Sequence, residues 1–119
     1  MLTTILIALI AALHLYILVL EMALWTTPRG RRAFGTTPEF AQATRVLAAN
    51  QGLYNGFLAA GLVWALIEGP LGEGQAPAVF FLTCILIAGI YGGLTASRRI
   101  LAIQAAPAAF ALAALVAGV

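Results

Sequence analysis

Lysine and aspartate do not occur in this chain, and histidine and cysteine occur once each. Without Asp, a Ser-His-Asp catalytic set is impossible. The single cysteine, Cys84, excludes an internal disulfide and a Cys-rich metal centre, and reads as a small core residue. One His, one Cys and a few carboxylates are a poor supply for zinc, which needs three or four N, O or S ligands, so no metal site is expected. No glycine-rich phosphate motif is present. Charge is scarce altogether: only 8% of the residues carry it, where an ordinary soluble domain has about 25%. The formal net charge of +2 comes wholly from Arg residues clustered in loops, a pattern that orients a chain in a membrane and does not suit nucleic-acid binding.

What the chain does contain is apolar. Of its 119 residues 63% are hydrophobic, which predicts an integral membrane protein whose first partner is the lipid bilayer. At about 20 apolar residues per crossing, this length supports one bundle and one domain. The expected fold is all-α: a polytopic membrane protein with four transmembrane helices in an antiparallel bundle. The helices are placed at about 2–25, 43–67, 77–95 and 100–119, with a cytoplasmic loop over 26–42.

The first apolar segment, Leu2 to Trp25, begins with no Lys or Arg and ends in no small-residue cleavage pattern, so it reads as a retained helix. His14 and Glu21 are seven residues apart, which puts them within about 20° on one helical face; Leu18 and Trp25 extend that inward stripe. In the polar stretch that follows, Pro28, Gly30, Gly35 and Pro38 act as breakers, and Arg29, Arg31 and Arg32 supply charge. Thr37-Pro38-Glu39 is placed to cap a short surface helix running toward Arg45, with Phe34 and Phe40 as interfacial anchors. Glu68 to Gly74 is a flexible acidic turn, and Ser97-Arg98-Arg99 makes the next one. Arg in the first and third loops, and none in the second, predicts both termini on the non-cytoplasmic side.

The second helix is where the polar groups gather. Asn50, Gln51, Tyr54 and Asn55 sit in an otherwise apolar run. In hydrocarbon an unpaired amide or hydroxyl costs several kcal/mol, so such groups should face other helices or a cavity. At about 100° per residue, Asn50, Tyr54 and Gly61 share one face, Gly52, Gly56 and Ala59 lie nearly opposite, and Gln51 and Asn55 fall between. A polar face and a small-residue face predict protein on both sides, with Gly52, Gly56, Gly89 and Gly93 as close-packing positions. At 1.5 Å per residue, Glu21 and Gln104 lie about 6 Å inside the cytoplasmic boundary. Asn50, Gln51 and Tyr91 lie about 10 Å in, and His14, Tyr54 and Asn55 about 17 Å in. Shared depth makes His14, Glu21, Asn50, Gln51, Tyr54, Asn55, Tyr91 and Gln104 the expected lining of one ligand pocket open to the cytoplasm. Glu21 is its sharpest member, because a carboxylate in hydrocarbon must find a partner or take up a proton. Arg45, Arg98 and Arg99 are topology determinants that could also contact an anion.

These residues resemble a known family. His14 to Met22 with Trp25, Asn50 to Ala59, Ala88 to Gly92 and Gln104 to Pro107 look like the small bacterial membrane proteins grouped as domain-of-unknown-function family 1304. That resemblance implies four helices and a bacterial inner-membrane location and names no substrate. A looser likeness is to the membrane-associated proteins in eicosanoid and glutathione metabolism (MAPEG), which share the length, the four helices and a second helix with Arg then Asn, as Arg45 and Asn50 stand here. It implies a trimer binding glutathione between subunits. The carboxylate that family carries three residues after the Asn is Leu53 here.

Three functions from different classes follow. The first is an oligomer, dimer or trimer, whose polar pocket binds or passes a small ligand or proton, without a cofactor. The second is a glutathione-dependent membrane enzyme, which requires Arg45 and Arg98 or Arg99 at a subunit interface. The third is an accessory subunit of a membrane complex.

Overall fold

The computed structural model describes all 119 residues, and the chain is all-α with no strand. Helix α1 spans Leu2–Met22, α2 Pro28–Phe34, α3 Pro38–Ala43, α4 Arg45–Glu68 and α5 Gln75–Thr95; a π-helical turn over Leu101–Ala105 leads into α6, Ala106–Ala117. That turn has a local cause. Pro107 cannot donate to the carbonyl four residues back and its ring crowds it, so the preceding turn widens.

The linker 26–42, expected as a loop with one short helix, is wound into two. Thr37 caps α3 as its sequence predicts, its hydroxyl accepting from the Phe40 N–H. Thr27 does the same for α2, accepting from the Gly30 N–H, and each cap is followed by Pro at the first helical position. Gly35 ends α2 in the left-handed region, at φ 66°, where a Cβ would be strained. Helix α1 stops at Met22, three residues short of the expected Trp25, because the N–H groups of Ala23 and Leu24 converge on the Val19 carbonyl and break the repeat. The acidic turn is kinked: Gly69 has φ 83°, Gly72 is non-helical at φ −127° and ψ −126°, and the Gly74 N–H closes the turn on the Gly69 carbonyl at 3.0 Å.

Two of these helices, α1 and α5, are long and apolar enough to cross a membrane. Helix α4 has 24 residues, but its amides dilute its apolar character, and the last apolar stretch, Leu101–Ala117, is shorter. The four expected segments are therefore all helical, while length and composition qualify two of them as spans.

The chain divides into two compact units, one formed by Met1–Ala11 with Ala60–Val119, the other by Ala12–Ala59. In the first, α5 packs on the Leu101–Ala105 turn and on α6. A Cβ on Gly89 would lie 2.5 Å from the Ala105 backbone nitrogen, and one on Gly93 2.3 Å from the Leu101 side chain. Both glycines are thus the close-packing positions the sequence predicts. Gly61 packs under the Phe81 ring. Thr3 joins the start of α1 to the end of α6: its N–H and its hydroxyl both donate to the Val119 carbonyl, at 3.0 and 2.6 Å.

Candidate functional site

The second unit holds a close pairing of two expected site residues, Glu21 and Asn55, joined by a direct side-chain bond. Within it, α1 and α4 run antiparallel. A Cβ on Gly52 would lie 2.6 Å from Met22 Cγ and 3.0 Å from Glu21 Cβ, and one on Gly56 2.6 Å from Leu18 Cδ1. As the number rises along α4 it falls along α1, and missing side chains let the backbones close up. One turn beyond Gly52 on the same face stands Asn55. Its Nδ2 donates to Glu21 Oε1 at 2.6 Å and also to the Gln51 carbonyl of its own helix at 3.1 Å. Glu21 and Asn55 are each only 7% exposed. A short, covered bond from the amide fixes the direction of the carboxyl group.

The stripe on α1 stands as expected. Thr3, Ile7, Ile10, His14 and Glu21 are buried along one face, and His14 is fully covered. His14 lies two turns before Glu21, about 10 Å along the axis.

The inward-facing assignment of the rest of α4 is where sequence and structure part. Its buried positions are Ala48, Gly52, Asn55, Ala59, Gly61, Leu62 and Ala65, which take in most of the small-residue face and, of the face shared by Asn50 and Tyr54, only Gly61. Asn50, Gln51 and Tyr54 are exposed in the single chain, Tyr54 by 58%. Asn50 spends its amide on the Val46 carbonyl of its own helix, at 3.0 Å. Asn55, placed between two faces by a 100° count, is the amide that goes in. It lies three residues from Gly52 and so shares the face that glycine opens. Tyr91 is 70% exposed and Gln104 half-buried; both belong to the other unit, as do the exposed Arg98 and Arg99. Arg45 is exposed at the start of α4. A shallow surface recess follows a single face of α5, past Val79, Phe80, Thr83, Cys84 and Ile87, and contains none of the expected residues.

Sequence reasoning missed what holds the end of α1 to the start of α4. Trp25 Nε1 donates to Thr44 Oγ1 at 3.0 Å, the Thr44 hydroxyl donates to the Phe40 carbonyl at 2.7 Å, and the Trp25 ring lies 4.9 Å from that of Phe34. Thr27 donates its hydroxyl back to the Leu24 carbonyl. The available signal was an indole at a helix end, whose N–H seeks a partner when its ring is packed.

The family described as "Protein of unknown function (DUF1304)" matches residues 8–116. The chain belongs to that family. It is also similar to the "Uncharacterized protein YpaA" of Lactococcus lactis subsp. lactis (strain IL1403), with 32% identity over 114 residues that cover 93% of each chain. No solved structure matches it. The DUF1304 match takes in both halves of the Glu21 and Asn55 pair and the α2–α3 segment between them.

Proposed function

We propose that this DUF1304 protein is an integral protein of a bacterial inner membrane whose working group is the Glu21 carboxylate. Held and aimed by Asn55, it binds a proton or a small hydrogen-bonding ligand in the cytoplasmic half of the bilayer. The observation that carries this reading is the covered 2.6 Å bond between Asn55 Nδ2 and Glu21 Oε1. It engages one carboxylate oxygen and leaves the other as the acceptor that a proton or donor group would use. The membrane part is supported by α1 and α5. Both are long and apolar, and only 28% of each apolar window lies buried within the chain, so most of their apolar surface is left for lipid. Four crossings with both ends on one side suit the Thr3 to Val119 contact, which brings the two ends of the fold together. A homo-oligomer, dimer or trimer, suits the outward Asn50, Gln51 and Tyr54, since another copy offers polar partners that acyl chains lack.

Glu21→Gln is the decisive variant, because an amide there can still hydrogen-bond Asn55 but cannot ionise. In proteoliposomes under a pH gradient the wild type should carry protons, or in native mass spectrometry retain a small molecule, and Glu21→Gln should lose that property while melting like the wild type. A wild type that does neither, or a variant that keeps the property, would reduce the pair to a structural tie.

A further inference from the structure

Four of the six Arg residues, Arg29, Arg31, Arg32 and Arg45, lie between the end of α1 and the start of α4, with Glu39 as the only acid among them. None makes an ion pair within the chain. At the end of α2 two donors are covered without a partner, Arg31 Nε and Thr36 Oγ1. They are neighbours through the backbone, since the Thr36 N–H donates to the Arg31 carbonyl at 3.0 Å. A covered donor left unmade costs about 1–3 kcal/mol, and two of them together in a cationic segment select for an anion. Phosphate, like carboxylate, has oxygens that match the guanidinium fork.

The surroundings say where that phosphate comes from. Phe34 and Phe40 flank the corner and are 41% and 54% exposed, with Trp25 against Phe34. The whole segment follows directly on the 21-residue apolar helix α1. Aromatic rings beside cations at the end of an apolar helix match the headgroup layer. We propose that the α2–α3 corner is a headgroup site, in which Arg31 and Thr36 take the phosphate of an anionic phospholipid while Arg29 and Arg32 add attraction and Phe34 and Phe40 lie among the upper acyl chains. Both Arg31 and Thr36 are part-exposed as residues, so a turn of the long Arg31 side chain brings its donor to the incoming phosphate. The site depends on the membrane reading above but not on Glu21.

The test is the full chain in mild detergent, titrated in native mass spectrometry with phosphatidylglycerol, phosphatidylcholine or inorganic phosphate. Phosphatidylglycerol should bind at least about fivefold more tightly than phosphatidylcholine, and Arg31→Gln should lose about fivefold, since one basic group at an anionic surface is worth about 1 kcal/mol. Thr36→Val should weaken the same lipid to a smaller degree. Equal binding of the two lipids would overturn the proposal, as would an unchanged preference in Arg31→Gln or inorganic phosphate binding as tightly as the lipid. Should Arg31→Gln not fold, Thr36→Val and the wild-type lipid preference decide. Failure of the wild type to insert into phosphatidylcholine vesicles would instead sink the membrane reading, so the two failures are distinguishable.

Discussion

Two helix pairings in this protein use one device and differ in a single respect. In one unit α5 meets the turn before α6 through Gly89 and Gly93, against Ala105 and Leu101; in the other α4 meets α1 through Gly52 and Gly56, against Met22, Glu21 and Leu18. Both place glycines four apart so that backbones approach. The first pairing is apolar where the glycines touch. The second adds a buried carboxylate and an amide beside the same kind of glycines. Since the apolar version shows that close packing needs no polar bond, the Glu21 and Asn55 pair calls for a separate reason, which the proposed proton or ligand binding would supply.

The comparison can be broken most forcefully at Gly89. Gly89→Ala pushes a methyl against backbone, 2.5 Å from the Ala105 nitrogen, and no side chain can move aside. A loss of about 3 kcal/mol is expected, the upper end of the overpacking range, read as a lower midpoint in reversible unfolding in detergent.

Removing the polar element should come next. Asn55→Leu leaves the Glu21 carboxylate covered without its donor, at an expected cost of about 2 kcal/mol. Adding Glu21→Leu should restore much of the loss, because replacing both partners by apolar groups is close to neutral. The coupling from the double-mutant cycle should be about 0.6–1.7 kcal/mol, the range for hydrogen bonds between membrane helices. A double variant that regains stability yet loses proton or ligand binding would separate function from packing; no coupling at all would mean the bond is not made.

The smallest effect sharpens the contrast between the two glycines of α4. Gly52→Ala meets Met22 Cγ, Glu21 Cβ and the Leu18 carbonyl within 3.2 Å, whereas Gly56→Ala meets only the tip of the Leu18 side chain closer than 3.9 Å. Gly52→Ala should destabilise by about 1 kcal/mol. Gly56→Ala should be near neutral, since Leu18 can turn away and Ala gains up to about 1 kcal/mol of helix propensity over Gly. Thermal melts of the two variants side by side check the order.

How much of this was legible beforehand depends on the kind of signal. The Thr37 cap, the inward stripe with His14 and Glu21, and all four close-packing glycines follow from periodicity and local chemistry. The second short helix was hidden because Pro28, Gly30 and Gly35 read as breakers, yet Pro at a first helical position and Gly at a C-terminal cap are also how a helix is bounded. The orientation of α4 was not legible. Its amides cover an arc that a 100° count spreads over several faces, and the choice among faces belongs to the neighbouring helix.

From sequence alone came the helical class, the apolar character and the family, since these depend on composition and on contacts between residues a few positions apart. Only the tertiary structure decided which polar group is enclosed. Asn55 reaches Glu21 because Gly52 lets two helices 34 residues apart in sequence come within a hydrogen bond, and a contact at that separation is set by packing geometry, which no local pattern encodes.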